Sequence, residues 1–182
     1  MIKKVAIIGT HSAGKTTLSY ILAAKYKKLG KSVKIIQEVA RSCPYKLNDG
    51  MTKEACLWIY HEHIKKELEA IQKFDTIICD RSVLDSFMYA VAQNCFDPKD
   101  SYMNLCMNAS KQWMKTYDKI IYLIPGKIEI LDDGFRSIDK DFQNRVKLEF
   151  DKYISFLSED KNKITEMTSD DVFNPSIEHF EC

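Results

Sequence analysis

The sequence has no run of about twenty apolar residues, which excludes a membrane-spanning helix. None of its six cysteines forms a Cys-x-x-Cys pair, so a zinc site or a disulfide framework is not expected; free thiols in a reducing compartment are. The sequence also lacks a charge excess: the formal net charge is +1, too little for a broad nucleic-acid groove or a membrane-binding face. No His-Glu-x-x-His motif is present. His61 and His63 stand two apart on an expected helix and so point in different directions. The segment Met1 to Lys4 leads straight into an apolar run too short and too early for a secretion signal, which predicts a cytoplasmic location. There is no internal repeat, low-complexity tract or linker, and 182 residues suit one domain.

What is present is an alternation of short apolar runs and amphipathic stretches. Lys4 to Ile8 is continuously apolar after its first residue and stops at Gly9, as a buried parallel strand does. Strands are likewise expected at Val33 to Ile36, Thr76 to Cys79, Lys119 to Ile124 and Lys163 to Met167. Between them the spacing predicts helices over Thr16 to Leu29, from Thr52 to about Lys73, over Val83 to Gln93, Ser101 to Thr116 and Asp139 to Leu157. Leu18, Ile21, Leu22, Tyr26 and Leu29 mark the inner face of the first helix, and Leu57, Ile64, Leu68 and Ile71 that of the second. The pattern predicts a mainly parallel sheet covered on both faces, with ligands beyond the carboxyl ends of its strands. Three polar clusters fall at those ends: Gly9 to Thr16, Glu38 to Arg41, and Asp80 to Ser82.

The first cluster matches Gly-x-x-x-x-Gly-Lys-Thr without a mismatch, between a strand and a helix, the context that confirms a phosphate loop. Gly9 and Gly14 allow the backbone to turn its N–H groups inward around phosphate oxygens, and the helix adds its positive end. The expected nucleotide contacts are Gly9, His11, Ser12, Ala13, Gly14, Lys15, Thr16 and Thr17. Lys15 reaches the β- and γ-phosphates, and Thr16 binds Mg²⁺. His11 is either a phosphate or substrate contact or a tolerated loop residue. Asp80 closes the third strand in the manner of a Walker B acid and is the second Mg²⁺ candidate; capping the next helix is its alternative role.

An acceptor hydroxyl needs a base, and Glu38 stands at the right strand end to be one. Arg41 and Arg81 are placed to hold the acceptor or the transferring group, and Arg136 is either a lid arginine over the γ-phosphate or a solvated loop residue. Trp58, Tyr60, Phe87 and Tyr89 are available to stack on a base or to fill the core. The catalytic set on this reading is Lys15, Glu38, Arg81 and Arg136.

The Asp80-Arg81-Ser82 segment resembles the acid-Arg-Ser segment of deoxynucleoside kinases, and thymidylate kinases share the Asp-Arg pair. The order of the phosphate loop, Glu38 to Arg41, and Asp133 to Arg136 is similar to the AAA-like ATPase/kinase family that includes the nicotinamide-riboside kinase domain. The resemblance implies a three-layer α/β P-loop sandwich with a parallel five-stranded sheet, order 2-3-1-4-5, and a lid at about 126–140. It further implies an ATP- and Mg²⁺-dependent phosphotransferase acting on a nucleoside or nucleotide, with Glu38 as base and Arg81 at the acceptor end. Relatives that are dimers leave a homodimer open. A nucleotide-switched regulatory NTPase and a nucleic-acid 5′-end kinase are the other functions such a loop serves.

Overall fold

The computed structural model describes residues 3–47, 50–126, 139–156 and 161–172. Five strands form one parallel sheet: β1 (Lys3–Gly9), β2 (Val33–Ile36), β3 (Thr76–Asp80), β4 (Lys119–Ile124) and β5 (Ile164–Thr168), in the spatial order β2-β3-β1-β4-β5. The expected order is borne out. β1 lies at the centre, paired with β3 on one side and β4 on the other, and its residues Val5 to Ile8 are at most 2% exposed. A strand buried on both faces has no use for polar alternation, which is why it reads as a continuous apolar run.

The helices complete two outer layers. α1 (Lys15–Lys28) and the short α6 (Ser169–Val172) cover one face; α2 (Lys53–Ile71), α3 (Asp85–Ala92), α4 (Ser101–Met114) and α5 (Lys140–Phe156) cover the other. Strand side chains alternate between the two cores. Ala6, Ile8, Ile77, Cys79, Ile120 and Tyr122 point to the larger one, and Val5, Ile7, Ile78, Ile121 and Leu123 to the smaller. Thr52 caps α2 by accepting from the Ala55 N–H at 3.4 Å, and Gly30 ends α1 with φ 74°. No helix among the described residues is long and apolar enough to cross a membrane, and the five described cysteines are free thiols.

The helices lie where the spacing places them, but two residues expected on inner faces, Leu29 and Leu68, are exposed. Leu29 is 63% exposed, just past the end of α1. Of the residues expected on the inner face of α2, Leu57, Ile64 and Ile71 pack partly buried against the larger core, whereas Leu68 is half exposed. The buried stripe is Ala55, Cys56, Ile59, Tyr60, His63, Glu67 and Ala70. Two polar side chains sit on the inner face because distant residues compensate them. Glu67, fully buried, meets Lys4 Nζ at 2.5 Å and His63 Nε2 at 3.1 Å, and accepts hydrogen bonds from Trp113 Nε1 at 2.9 Å and from the Tyr117 hydroxyl. Lys4 in turn lies over the Trp113 and Tyr117 rings, 4.9 and 4.5 Å from their centres. The cluster ties α2 to β1 and to the end of α4.

Burial alone would raise the Glu67 carboxyl, but His63 and Lys4 outweigh it and hold the group down at about 2. Its contribution to stability is therefore complete above the ordinary value of 4.5 and is lost as pH falls from there toward 2. Removing one partner strands the other charge, so Glu67→Ala is expected to cost about 3–5 kcal/mol. Urea unfolding across this acid range checks both points: the wild-type stability should fall with pH, and that of Glu67→Gln should fall less steeply.

Candidate active site

The phosphate loop forms where β1 runs out. Gly9 has φ 132° and lies against β4, where a Cβ would drive into the Leu123 carbonyl oxygen. Ser12 (φ 58°) and Gly14 (φ 87°) also take the left-handed backbone region, curving the chain into a nest, and α1 starts at once with Lys15. Ala13 is fully buried and joins the smaller core, which fastens the loop from beneath. A pocket opens above, lined by Ser12 to Thr17 together with Glu38, Asp80 and Arg81.

Lys15 is buried and donates from Nζ to the Thr10 carbonyl. Burial, and then the neighbouring Arg81, push its pKa down to about 7 against the pull of Asp85, Asp80 and Glu38. Thr16 Oγ1 donates to Asp80 Oδ2 at 2.6 Å, joining the first helical turn to the end of β3. A hydroxyl and a carboxylate oxygen side by side at a phosphate pocket are hard donors of the kind Mg²⁺ takes, so these residues fit that ion.

Glu38 and Arg81 face the pocket from two neighbouring strand ends. Arg81 Nε lies 2.5 Å from Glu38 Oε1, Nη1 lies 3.5 Å from Asp85 Oδ1, and the guanidinium stacks over the Tyr89 ring at 4.9 Å. Burial works against the Arg81 charge, yet Glu38 foremost raises its pKa well above the ordinary value. The residue holds φ 93°, a strained conformation fixed by its N–H on the Ile7 carbonyl at 3.0 Å. Arg41, in the short 3-10 turn Val39–Ser42, reaches Glu38 Oε2 at 3.2 Å with its side chain 45% exposed.

Beyond this pair a second cavity opens between α2, α3 and the turn after β2. Glu38, Arg81, Ser82 and Asp85 line one end; Val39, Leu47, Met51, Ile59 and Tyr89 supply apolar wall; His11, His63 and Gln93 add polar groups. His11 thus contributes to this cavity, and not to the pocket beside Lys15. It is buried, stacked on Phe142 with ring centres 5.6 Å apart, and its carbonyl accepts from Gln143 Nε2 at 2.8 Å. Tyr60 and Phe87 are core residues, and Trp58 packs at the core edge. Arg136 and the rest of the Asp133 to Arg136 segment lie outside the described residues.

Asp85, His63 and Gln93 line the cavity without having been expected there. Asp85 carries a signal: it follows Arg81 by four positions at a helix start. His63 and Gln93 reach the cavity only through the packing of α2 and α3, while Phe142 and Gln143 of α5 hold His11 from behind.

A family model described as AAA domain matches residues 4–173. The chain belongs to that family. No curated protein matches this AAA-domain chain. Among solved structures it is similar to deoxyadenosine kinase from M. mycoides with bound dATP, at 18% identity and a TM-score of 0.64, over 92% of this chain and 91% of that one. The same enzyme with bound dCTP gives 20% identity and a TM-score of 0.67, over 92% and 90%. At such identity the likeness establishes a shared fold, the α/β P-loop kinase fold with the sheet order found here.

Gly9→Ala in this AAA-domain chain puts a side chain both into a disfavoured backbone region and onto backbone that cannot yield. A loss of at least about 2 kcal/mol of unfolding free energy is expected in denaturant titration.

Proposed function

We propose that the protein transfers the γ-phosphoryl group of ATP to a hydroxyl of a small, uncharged, nucleoside-like acceptor, with Mg²⁺ at the phosphate loop. One observation carries the reading: Glu38 and Arg81 line both the phosphate pocket and the second cavity. A carboxylate and a guanidinium on a wall shared by two compartments are placed for transfer from one to the other.

In this mechanism Lys15 and the N–H groups of the loop hold the triphosphate, while Thr16 and Asp80 would hold Mg²⁺, which would supply positive charge against the phosphates. Glu38 takes the proton of the acceptor hydroxyl as that oxygen bonds to the γ-phosphorus. The bond from phosphorus to the β–γ bridging oxygen breaks, and ADP leaves with the electron pair. Arg81 faces the transferring group from the side and steadies its charge. Arg41, paired with Glu38 at 3.2 Å, closes on the acceptor from the cavity mouth.

Charge separates a neutral acceptor from a monophosphate. Arg81 is the only Lys or Arg among the described residues lining the cavity, and Glu38 and Asp85 already face it. Arg41 at the mouth is already paired with Glu38, so a phosphate monoester entering there would find no surplus positive charge to hold it. A nucleoside brings no anion to hold. Structural similarity to an enzyme named for phosphorylating a nucleoside, deoxyadenosine kinase, supports an acceptor of this kind.

The test is ATP consumption with Mg²⁺ in the presence of pooled nucleosides, pooled nucleoside monophosphates or nicotinamide riboside. A nucleoside pool should stimulate consumption and yield a phosphorylated product by mass, and the monophosphates should not. Glu38→Gln should lower kcat by roughly 10²–10⁴-fold while ATP still binds, and Lys15→Ala should lose ATP binding. Slow consumption indifferent to every pool, or full turnover in Glu38→Gln, overturns the reading.

A further inference from the structure

Buried polar atoms in a folded protein nearly always find a hydrogen bond, so the place where exceptions gather is informative. Asp85 Oδ1 and Gln93 Oε1, both on side chains lining the acceptor cavity, are such exceptions. Asp85 uses its other oxygen on Ser82, accepting from the N–H at 2.8 Å and the hydroxyl at 2.7 Å. Its Oδ1 has the Arg81 guanidinium at 3.5 Å and no hydrogen bond.

α3 sets Asp85 and Gln93 at opposite ends of one stripe. Asp85, Ser86, Tyr89 and Gln93 recur at helical spacing and all line the cavity. The helix is eight residues long, about 12 Å, so Asp85 stands beside Arg81 at the reacting end and Gln93 at the far end. Much of the wall between is apolar. A ligand fitting this pattern has an apolar, flat body with a few donors and acceptors on its edge. A free sugar, with hydroxyls all round, would press several of them against apolar wall, which is unfavourable.

We propose that Gln93 is a specificity-determining residue: its amide reads the edge of a heteroaromatic nucleoside base, with Oε1 accepting from a ring or amino N–H. The assignment rests on the kinase reading given above. Gln93 stands away from the reacting atoms, so its contact is made equally in the ground and transition states and belongs to KM. A site built to hydrogen-bond a group also discriminates strongly against analogues that lack it.

Assay of the wild-type protein with MgATP against deoxyadenosine, deoxycytidine, deoxyguanosine, thymidine and nicotinamide riboside fixes the best acceptor. Its kcat and KM are then measured in Gln93→Leu and Gln93→Glu, with ATP affinity and melting temperature as folding controls. Gln93→Leu should raise KM at least about tenfold with kcat within about threefold, and should change the order of preference among the five. Gln93→Glu keeps an accepting oxygen and should raise KM less. Unchanged KM and preference in both variants overturn the role of Gln93 and leave the kinase intact. A wild-type protein that phosphorylates none of the five overturns both.

Discussion

The ion pair between Glu38 and Arg81, 2.5 Å long with side chains 5% and 12% exposed, is the contact on which the site depends. Two ions taken out of water are costly unless each supplies the other's missing solvation. Here the pair draws the ends of β2 and β3 to one place and fixes a guanidinium whose backbone is strained. Asp85 and the Tyr89 ring enclose the same guanidinium, so α3 is oriented by it as well. The phosphate pocket and the apolar cavity are two sides of that arrangement.

The sheet could be read because its information is local. A strand buried on both faces declares itself by an unbroken apolar run, as Val5 to Ile8 does, and strand ends mark where a parallel sheet presents polar groups. Glu38 and Arg81 stand forty-three positions apart and could be paired in advance by that rule alone. The phosphate loop is more local still, since its signature spans eight residues.

The misread parts depend on partners far away in sequence. Nothing near Glu67 announces that Lys4, Trp113 and Tyr117 will surround it, so a rule that sends charge outward puts Leu68 on the inner face of α2 in place of Glu67. Leu68, the residue that rule places inside, pays no penalty large enough to displace Glu67. His63 and Gln93 face the cavity for the same reason: helix packing, more than helix composition, decides which side chains a ligand meets.

The division of labour between elements has a consequence for how such a protein can diverge. The phosphate pocket is built by the turn between β1 and α1 and by two strand ends, with Gly9 pressed on β4 and Ala13 sunk in the smaller core beneath it. The far part of the cavity ends at Gln93, a half-buried residue just past α3 that lies outside both cores. Descendants of one ancestor can therefore keep the same phosphate chemistry while drifting from one acceptor to another. The fold preserves the engine and leaves its choice of cargo open to selection.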